Sequence, residues 1–468
     1  MDAKGLPFEP LISLSGRLQR REISPVEVTS ALLHRIETLD GSYHSYATVL
    51  ADRAMKQARR AEHEIMRGHW RGPLHGVPIA VKDLCFTTFA RTTGGMPMYW
   101  DYIPAFNATV VDRLEMSGAV LLGKLKMTEG AYTSHHPDDQ TPLNPWGVDY
   151  WVGSSSTGSG VATSAGLCYG SLGSDTGGSI RFPSATCGLT GIKPTWGRVS
   201  RHGVFALADS LDHVGPMTRT AADAGAILGV VAGRDPNDPT SLPDPVPNYL
   251  AGLGDNIRGL KIGIDRSYVS DGIDPEVVSA LEDTEKTLTA LGAQIQDVQF
   301  PSYKRLVSLW IPMCSVETAI AHKDYYPGRA QEYGPDLAQL IEQGRVLSGL
   351  EVGEINHERL KFCGALASLF RDIDLLLIPT MPVPLPTLAQ MGAYGEDPSV
   401  LNGILRFTAP FDFSGSPTIT MPNGIDKRGM PLSCQLVGRH VSEDVLVRAA
   451  NAYQMATDWH AKRPATLQ

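Results

Sequence analysis

The sequence has 468 residues, of which 42% are hydrophobic and 19% are charged, so it is long enough to bury a large core. Its formal net charge of −9 leaves no excess of basic residues to follow a phosphate backbone, and we expect no nucleic-acid partner. The composition is that of a globular enzyme.

The predicted elements begin with a helix whose start is well marked. Ser24 is a serine cap, Pro25 occupies the first helical position, and Glu27 lies three residues after the cap. The next predicted elements are a helix at 51–68, a strand at 76–83, a helix at 108–117 and a strand at 119–125. This alternation predicts an α/β sheet.

Two stretches rich in glycine and serine come next, GSSSTGSG (153–160) and DTGGSIRFP (175–183). Their composition is typical of linkers, but the segment between them, 161–174, predicts a packed small-residue helix followed by a strand. We therefore interpret both stretches as loops of a rigid site, with another helix beginning near Ser179. Consecutive glycines let backbone N–H groups converge on one point, which suits either a phosphate or the developing oxyanion of acyl transfer.

The pattern changes after residue 235. Residues 235–248 are rich in proline and aspartate and predict a surface loop, and Asp274-Pro275 begins another helix. The remaining predictions are a strand at 293–300, a mainly helical region at 303–371, a buried strand at 374–380, a loop at 382–398 and a last buried strand at 417–422.

Several familiar catalytic patterns are missing from the chain. No serine has glycine both two residues before and two residues after it, no lysine lies three residues after a serine, and neither H-E-x-x-H nor a Walker A sequence occurs. The best metal candidate is SHHPDD (134–139), but adjacent histidines on a strand point to opposite faces. We therefore interpret this segment as a capped loop at the active-site rim, and we expect no metal or cofactor.

The cellular location is predicted from three further features. The six cysteines are scattered and form no C-x-x-C pair, which favours free thiols. The first ten residues lack an apolar leader, and the apolar run 224–233 is too short to span a bilayer. We expect a cytoplasmic protein with no membrane partner.

Residues 153–200 resemble the signature segment of the amidase signature family, and GVPIAVKD (76–83) resembles its upstream lysine motif. Looser similarity continues through 213–220 and 375–382. The resemblance implies an α/β fold of the amidase-signature type, with a large mixed, twisted β-sheet flanked by helices on both faces. It also implies a single domain over residues 1–468. Its parts are an N-terminal helical segment at 1–70, a catalytic core at 71–235, a variable substrate-pocket region at 236–415 and a C-terminal closing segment at 416–468.

Position by position, the resemblance implies a Ser–cisSer–Lys triad. The nucleophile falls on Ser179, the lysine on Lys82, and the bridging serine, which follows a cis peptide bond in the family, on Ser155. The implied oxyanion-hole donors are the backbone N–H groups of Thr176, Gly177, Gly178 and Ser179, and the supporting residues are Ser154, Ser156, Asp175 and Arg181. Ser154 and Thr157 stand where the family usually has glycine.

The chemistry explains why these residue types are needed. A serine hydroxyl requires a base, and lysine can serve only when its amine is neutral. Burial lowers the pKa of lysine, and the apolar strand predicts that Lys82 is buried, with Asp83 facing away from it. Ser155 would then pass the proton of Ser179 to Lys82, which is the Ser–Lys variant of triad logic.

The resemblance implies a hydrolase of carboxamide bonds in small molecules, and anilides, aryl amides, peptide C-terminal amides, carbamates (urethanes) and esters all stay open as substrates. One alternative is the glutaminase subunit of a tRNA-dependent amidotransferase complex, and another is a non-catalytic binding protein. We expect a monomer or a homodimer. Variable loops are expected to contact the substrate, at residues 93–104, 127–137 and 310–325, with residues 375–415 behind them. Six aromatic residues could line an acyl pocket or belong to the core: Tyr99, Trp100, Tyr132, Trp310, Tyr325 and Phe411.

Overall fold

In the part of the chain that the structure describes, a mixed β-sheet of 11 strands is accompanied by many helices, as predicted. The computed structural model describes residues 5–395 and 397–467. The strands are, in chain order, β1 Tyr46–Val49, β2 Pro78–Lys82, β3 Val120–Leu125, β4 Gly170–Asp175, β5 Thr190–Lys193, β6 His213–Thr218, β7 Lys261–Ile264, β8 Gln294–Asp297, β9 Leu375–Pro379, β10 Thr418–Ile425 and β11 Pro431–Gly438.

The α-helices are distributed along the whole chain. They are α1 Leu11–Gln19, α2 Pro25–Tyr43, α3 Ala51–Met66, α4 Thr109–Met116, α5 Thr157–Ser164, α6 Arg181–Thr186, α7 Ala221–Val231, α8 Pro275–Ala290, α9 Lys304–Ser308, α10 Trp310–Ala321, α11 Pro335–Val346, α12 Gly349–Leu369, α13 Leu388–Gly395, α14 Pro398–Leu405, α15 Ala409–Phe413 and α16 Glu443–Ala456. Within the described residues, no helix combines the length and the apolar character needed to cross a bilayer.

The sheet order is β1-β3-β2-β4-β6-β5-β10-β11-β9-β7-β8. Strand β2 pairs in parallel with β3 on one side and with β4 on the other. Because parallel neighbours run in the same direction, the end of β2 at Lys82 lies beside the last part of β4. This end of the two strands is where the candidate site forms.

The strongest local signals of the sequence are confirmed. Ser24 caps α2 by accepting from the Val26 N–H at 2.9 Å, and the Glu27 side chain accepts from the Ser24 N–H at 2.9 Å. The predicted strands at 76–83, 119–125, 293–300, 374–380 and 417–422 correspond to β2, β3, β8, β9 and β10.

Two predictions about loops are wrong. The sequence predicts a loop over residues 382–398, but this segment contains α13 and the start of α14. The sequence feature that could have indicated α13 is a capping box formed by Thr387 and Gln390. The Thr387 N–H donates to Gln390 Oε1 at 2.8 Å, and the Gln390 N–H donates to Thr387 Oγ1 at 3.2 Å. The small-residue helix expected within 161–174 begins earlier, since α5 starts at Thr157, inside the glycine-serine stretch itself.

Candidate active site

Lys82 is the last residue of β2 and lies in the interior of the protein. All five residues of β2 are buried, and Lys82 is 0% exposed. Its Nζ lies 2.6 Å from Ser155 Oγ, 3.0 Å from Ser156 Oγ and 2.8 Å from Ser174 Oγ. The apolar strand thus brings an amine into a buried group of three hydroxyls.

The buried position changes the ionisation of Lys82. Burial lowers its pKa to about 7, because a low-dielectric environment disfavours the charged ammonium. The carboxylate of Asp83 faces away, where it lies 3.0 Å from Lys124 Nζ and accepts a hydrogen bond from Thr93. A substantial share of Lys82 is therefore an uncharged amine near neutral pH, the form that can accept a proton.

The hydroxyls around Lys82 are not equivalent. Ser156 Oγ donates to the Ser174 carbonyl at 3.2 Å, so it faces Lys82 as an acceptor. Ser155 Oγ has Lys82 as its one hydrogen-bond partner in the described part of the chain. A neutral Lys82 amine has two hydrogens, which it can donate to Ser156 and Ser174. Its one lone pair can then accept the hydrogen of the Ser155 hydroxyl. The arrangement can therefore carry a proton from Ser155 to Lys82.

Ser174 is a further polar neighbour of Lys82 that the sequence motifs did not indicate. It lies on β4, where Ser171 is paired with Ala80 of β2, so the ends of the two strands place Ser174 beside Lys82. The sequence could have indicated Ser174 only through the register between β2 and β4, and that register is known only once the pairing of the two strands is known.

Ser155 is held by the loop that precedes α5. The resemblance implied a cis peptide bond before the bridging serine, and the Ser154–Ser155 bond is cis. The Ser155 carbonyl accepts from the Thr128 N–H at 3.2 Å. Gly153 has φ 81°, and a Cβ there would lie 2.4 Å from the backbone nitrogen of Pro183 in α6. Glycine is therefore required for this loop to pack against α6.

Ser179 lies in the loop between β4 and α6. Every residue from 155 to 187 is buried except Ser179. Its hydroxyl makes no hydrogen bond to any residue that the structure describes, and the helix expected near it begins two residues later, at Arg181. Ser179 is thus the residue of this segment that is most exposed to solvent.

A buried ion pair shapes this loop. Arg181 Nη2 and Nε lie 2.8 Å and 3.0 Å from the two carboxylate oxygens of Asp175, and Nη2 also lies 2.7 Å from Asp412 Oδ2. Burial alone would raise the pKa of Asp175, but the charge and hydrogen bonds of Arg181 outweigh it and hold this pKa well below its usual range. Asp412 was not predicted, because it lies 231 residues from Arg181 in the chain.

A contact of the Asp175 carboxylate contradicts the prediction that the Gly178 N–H is an oxyanion-hole donor. It accepts from the Gly178 N–H at 2.7 Å and from the Ile180 N–H at 3.0 Å. Gly178 therefore uses its N–H inside the loop and does not offer it to a substrate. The N–H groups of Thr176, Gly177 and Ser179 have no acceptor within the described residues.

The similarity to known proteins agrees with this geometry. Residues 27–447 match the sequence model of the family described as Amidase.

The chain belongs to the amidase family.

Two relatives show how far the similarity extends. AmiD of Mycobacterium tuberculosis (strain H37Rv), which is named provisionally as an amidase, is 48% identical over 464 residues, covering 99% of this chain and 97% of AmiD. A glutamyl-tRNA(Gln) amidotransferase subunit of Geobacter sp. (strain M21) is 35% identical over 476 residues, covering 96% of this chain and 97% of that one.

A solved structure gives the same result for the fold. The 6-aminohexanoate cyclic dimer hydrolase is 26% identical and has a TM-score of 0.89, with 100% of both chains covered. The family match and these likenesses make the chain an amidohydrolase with the amidase-signature fold.

In this amidase, the aromatic residues predicted near the substrate occupy different environments. Trp310 is buried, its indole Nε1–H donates to the Thr176 carbonyl at 2.8 Å, and its ring packs on Gly177, where a Cβ would lie 2.4 Å from Cζ2. Phe411 is 0% exposed and packs near Phe300, with ring centroids 6.0 Å apart, so it belongs to the core.

The other aromatic residues of the amidase lie farther out. The Tyr99 and Tyr325 rings meet edge to face at 5.6 Å, and Tyr99 also contacts the Phe205 ring at 5.1 Å. Trp100 is 40% exposed, whereas Tyr132 is half-buried and packs against the main core. Trp310 is therefore the aromatic residue of this set that holds the Ser179 loop by a hydrogen bond.

The histidine-aspartate segment of the amidase, 134–139, forms a tied loop. His135 Nε2 lies 3.1 Å from Thr157 Oγ1 at the start of α5, and Asp139 Oδ1 lies 2.5 Å from Lys126 Nζ. Among the described residues, no group of three or more His, Cys, Asp or Glu side chains could hold a metal ion.

Proposed function

We propose that this amidohydrolase cleaves carboxamide bonds of small molecules through an acyl-enzyme on Ser179, with Lys82 as the base and Ser155 as the proton relay. One observation carries the proposal: a fully buried lysine with a pKa of about 7 lies 2.6 Å from the Ser155 hydroxyl. Strongly shifted pKa values cluster at functional sites, and the contact with Ser155 gives this amine a hydroxyl proton to accept.

The proposed reaction proceeds in two stages. Lys82 accepts the proton of Ser155 while Ser155 takes that of Ser179, and the freed Ser179 oxygen attacks the amide carbonyl. The N–H groups of the loop stabilise the oxyanion, and the proton returns to the leaving amine through Ser155. Water then attacks the acyl-enzyme by the same relay and releases the acid. The open Ser179 hydroxyl fits this scheme, since catalytic hydrogen bonds often tighten only when substrate binds.

Ser155→Ala is expected to lower kcat by about 10²-fold or more without abolishing turnover, because a water molecule can partly replace the relay hydroxyl. The loss should be smaller than for removal of Lys82, whose amine is the final acceptor. The measurement is kcat for an amide that the wild type hydrolyses, with Ser159→Ala as the matched control. Ser159 is buried on α5 and its Oγ bonds to the Leu172 carbonyl. Wild-type kcat in Ser155→Ala would exclude the relay.

The pH dependence follows from the lowered pKa of Lys82. The active form is the neutral amine, so kcat/KM should rise with pH as Lys82 loses its proton, with an apparent pKa of about 7. Below this value the ammonium dominates and activity falls. The profile is measured across neutral pH with an uncharged substrate. An ascending limb near the ordinary lysine pKa of about 10.4 would contradict the assignment.

The proposal extends to particular classes of substrate. We include anilides and carbamates among the substrates, that is, aryl acylamidase and urethanase activity, alongside simple amides and esters. A hydrolysis screen over these classes, with mass detection of the acyl-enzyme, tests this proposal. Hydrolysis of primary amides alone would show that anilides and carbamates are not substrates.

We further propose that the protein is cytoplasmic and that it is a monomer or a homodimer.

A second candidate function is the glutaminase subunit of an amidotransferase complex. It is supported by the 35% identity to the glutamyl-tRNA(Gln) amidotransferase subunit of Geobacter sp. over nearly the whole chain. Gel filtration combined with a glutaminase assay distinguishes the two. A chain that hydrolyses glutamine but no anilide, and does so efficiently only within a larger complex, would favour the second function.

A further inference from the structure

The direction of each free N–H group in the Ser179 loop is fixed by the carbonyl of the same peptide group. In a trans peptide, the C=O of one residue and the N–H of the next point in opposite directions. Among the described residues, the cis peptide bonds are Ser154–Ser155 and Tyr326–Pro327, so the peptide bonds of residues 175–180 are trans. A group that holds a carbonyl in this loop therefore also aims the following N–H away from itself.

Three carbonyls of the loop are held in this way. The Asp175 carbonyl lies 3.2 Å from His213 Nδ1, and the Thr176 carbonyl accepts from Trp310 Nε1–H at 2.8 Å. The Gly178 carbonyl accepts from a backbone N–H of α6, that of Phe182, at 2.7 Å. The N–H groups that follow these carbonyls belong to Thr176, Gly177 and Ser179. They are the same three that have no acceptor in the described chain.

His213 is suited to this contact. It is the first residue of β6 and is paired with Asp175 of β4. A carbonyl oxygen only accepts, so the imidazole must carry its hydrogen on Nδ1. The other nitrogen, Nε2, lies 3.1 Å from Lys193 Nζ, a donor that matches this tautomer. Burial and the nearby Lys193 lower the pKa of His213 well below its ordinary value, so the ring stays neutral.

Trp310 comes from a distant part of the chain, 134 residues from Thr176, and is the first residue of α10. Its ring lies so close to Gly177 that a Cβ at that position would come within 2.4 Å of it. The contact holds the Thr176–Gly177 peptide group by a hydrogen bond to its carbonyl and by packing of the ring against Gly177.

We infer that Trp310 and His213 are positioning residues of the oxyanion hole, which hold the Thr176 and Asp175 carbonyls so that the Gly177 and Thr176 N–H groups face the reacting oxygen. The inference rests on the proposed function, because the oxyanion forms only if Ser179 attacks. Neither side chain needs to touch the substrate. Their effect is on the transition state and not on ground-state binding.

The test removes each donor and measures the Ser179 loop directly. Trp310→Phe deletes the indole N–H, and His213→Leu deletes the imidazole donor. His213→Asn keeps a donor, because the asparagine amide nitrogen takes nearly the place of Nδ1. Trp146→Phe is the matched control, since Trp146 Nε1–H donates to the Cys187 carbonyl at 2.9 Å, away from the three held carbonyls.

Two readouts are used for each variant. The first is kcat and KM for an amide, and the second is the rate of Ser179 labelling by a fluorophosphonate, whose phosphoryl oxygen occupies the oxyanion position. We expect Trp310→Phe and His213→Leu to lower both kcat and the labelling rate by about ten-fold or more, with KM nearly unchanged. His213→Asn and Trp146→Phe should stay close to the wild type.

Each outcome decides one point. Wild-type labelling and kcat in Trp310→Phe and His213→Leu would overturn the inference while leaving the proposed function intact. Equal losses in His213→Asn and His213→Leu would show that His213 acts by packing and would overturn its assigned role. A wild-type protein that is neither labelled at Ser179 nor active would overturn the proposed function itself. If thermal unfolding shows that Trp310→Phe does not fold, benzothienylalanine at position 310 deletes the N–H and keeps the ring shape, with the same expected loss.

Discussion

Ser179→Ala is expected to lower kcat by about 10⁴-fold or more, because no other hydroxyl in the loop can form the acyl bond. Ser179 is the one residue between 155 and 187 that is not buried, whereas Ser155 and Ser156 are 0% exposed. A neighbouring serine cannot replace it without moving out of the core. The measurement is kcat for the best amide of the screen, together with the mass of the fluorophosphonate adduct, which the variant should lack.

Ser184→Ala is the control for this substitution. Ser184 lies on α6 and is buried, and its Oγ has no hydrogen-bond partner within the described residues, so the variant loses a hydroxyl without losing a bond. It should keep wild-type activity. Near wild-type hydrolysis by Ser179→Ala, or labelling of a different residue, would show that Ser179 is not the nucleophile. A wild-type chain that is neither labelled nor active would favour the non-catalytic binding protein.

Removal of the Lys82 amine is expected to have the second largest effect. Lys82→Met keeps most of the side-chain volume but removes the proton acceptor, and kcat/KM should fall toward the upper end of the range of about 10²–10⁴-fold. The loss should exceed that of Ser155→Ala, because no other base lies within hydrogen-bond distance of Ser155 Oγ in the described chain. The measurement is kcat/KM at a pH above the Lys82 pKa of about 7.

Lys82→Arg separates the base from the charge. A guanidinium stays protonated in proteins, so it preserves a cation but cannot accept the proton of Ser155. We expect this variant to be as inactive as Lys82→Met, while thermal unfolding shows whether each variant folds. Activity of Lys82→Arg close to that of the wild type would mean that position 82 supplies charge, and the proton relay would have to be abandoned.

The local parts of the site could be predicted from the sequence. A short apolar run between turn residues indicates a buried strand, and a lysine at its end is then also buried, with its pKa lowered, as found for Lys82. The capped start of α2 was equally readable, because the Ser24 and Glu27 contacts lie within one helical turn. The cap of α13 was of the same kind but was hidden in a segment with several prolines.

The parts that join distant segments could not be predicted. Trp310 and Asp412 reach the loop from 134 and 231 residues away, and no local pattern indicates that they meet it. The error at Gly178 has a different cause. Consecutive glycines indicate that N–H groups can converge, but only the structure shows that the Asp175 carboxylate turns back to take one of them.

The place of β10 and β11 in the sheet bears on how the protein is made. These strands come late in the chain, yet they lie between β5 and β9 and separate the strands of the catalytic segment from β7, β8 and β9. During translation, a nascent polypeptide that has emerged only as far as β9 has unpaired strand edges at β5 and β9, which are prone to intermolecular pairing. A chain that ends before residue 418 is therefore expected to aggregate more readily than the full chain, because neither strand edge is covered.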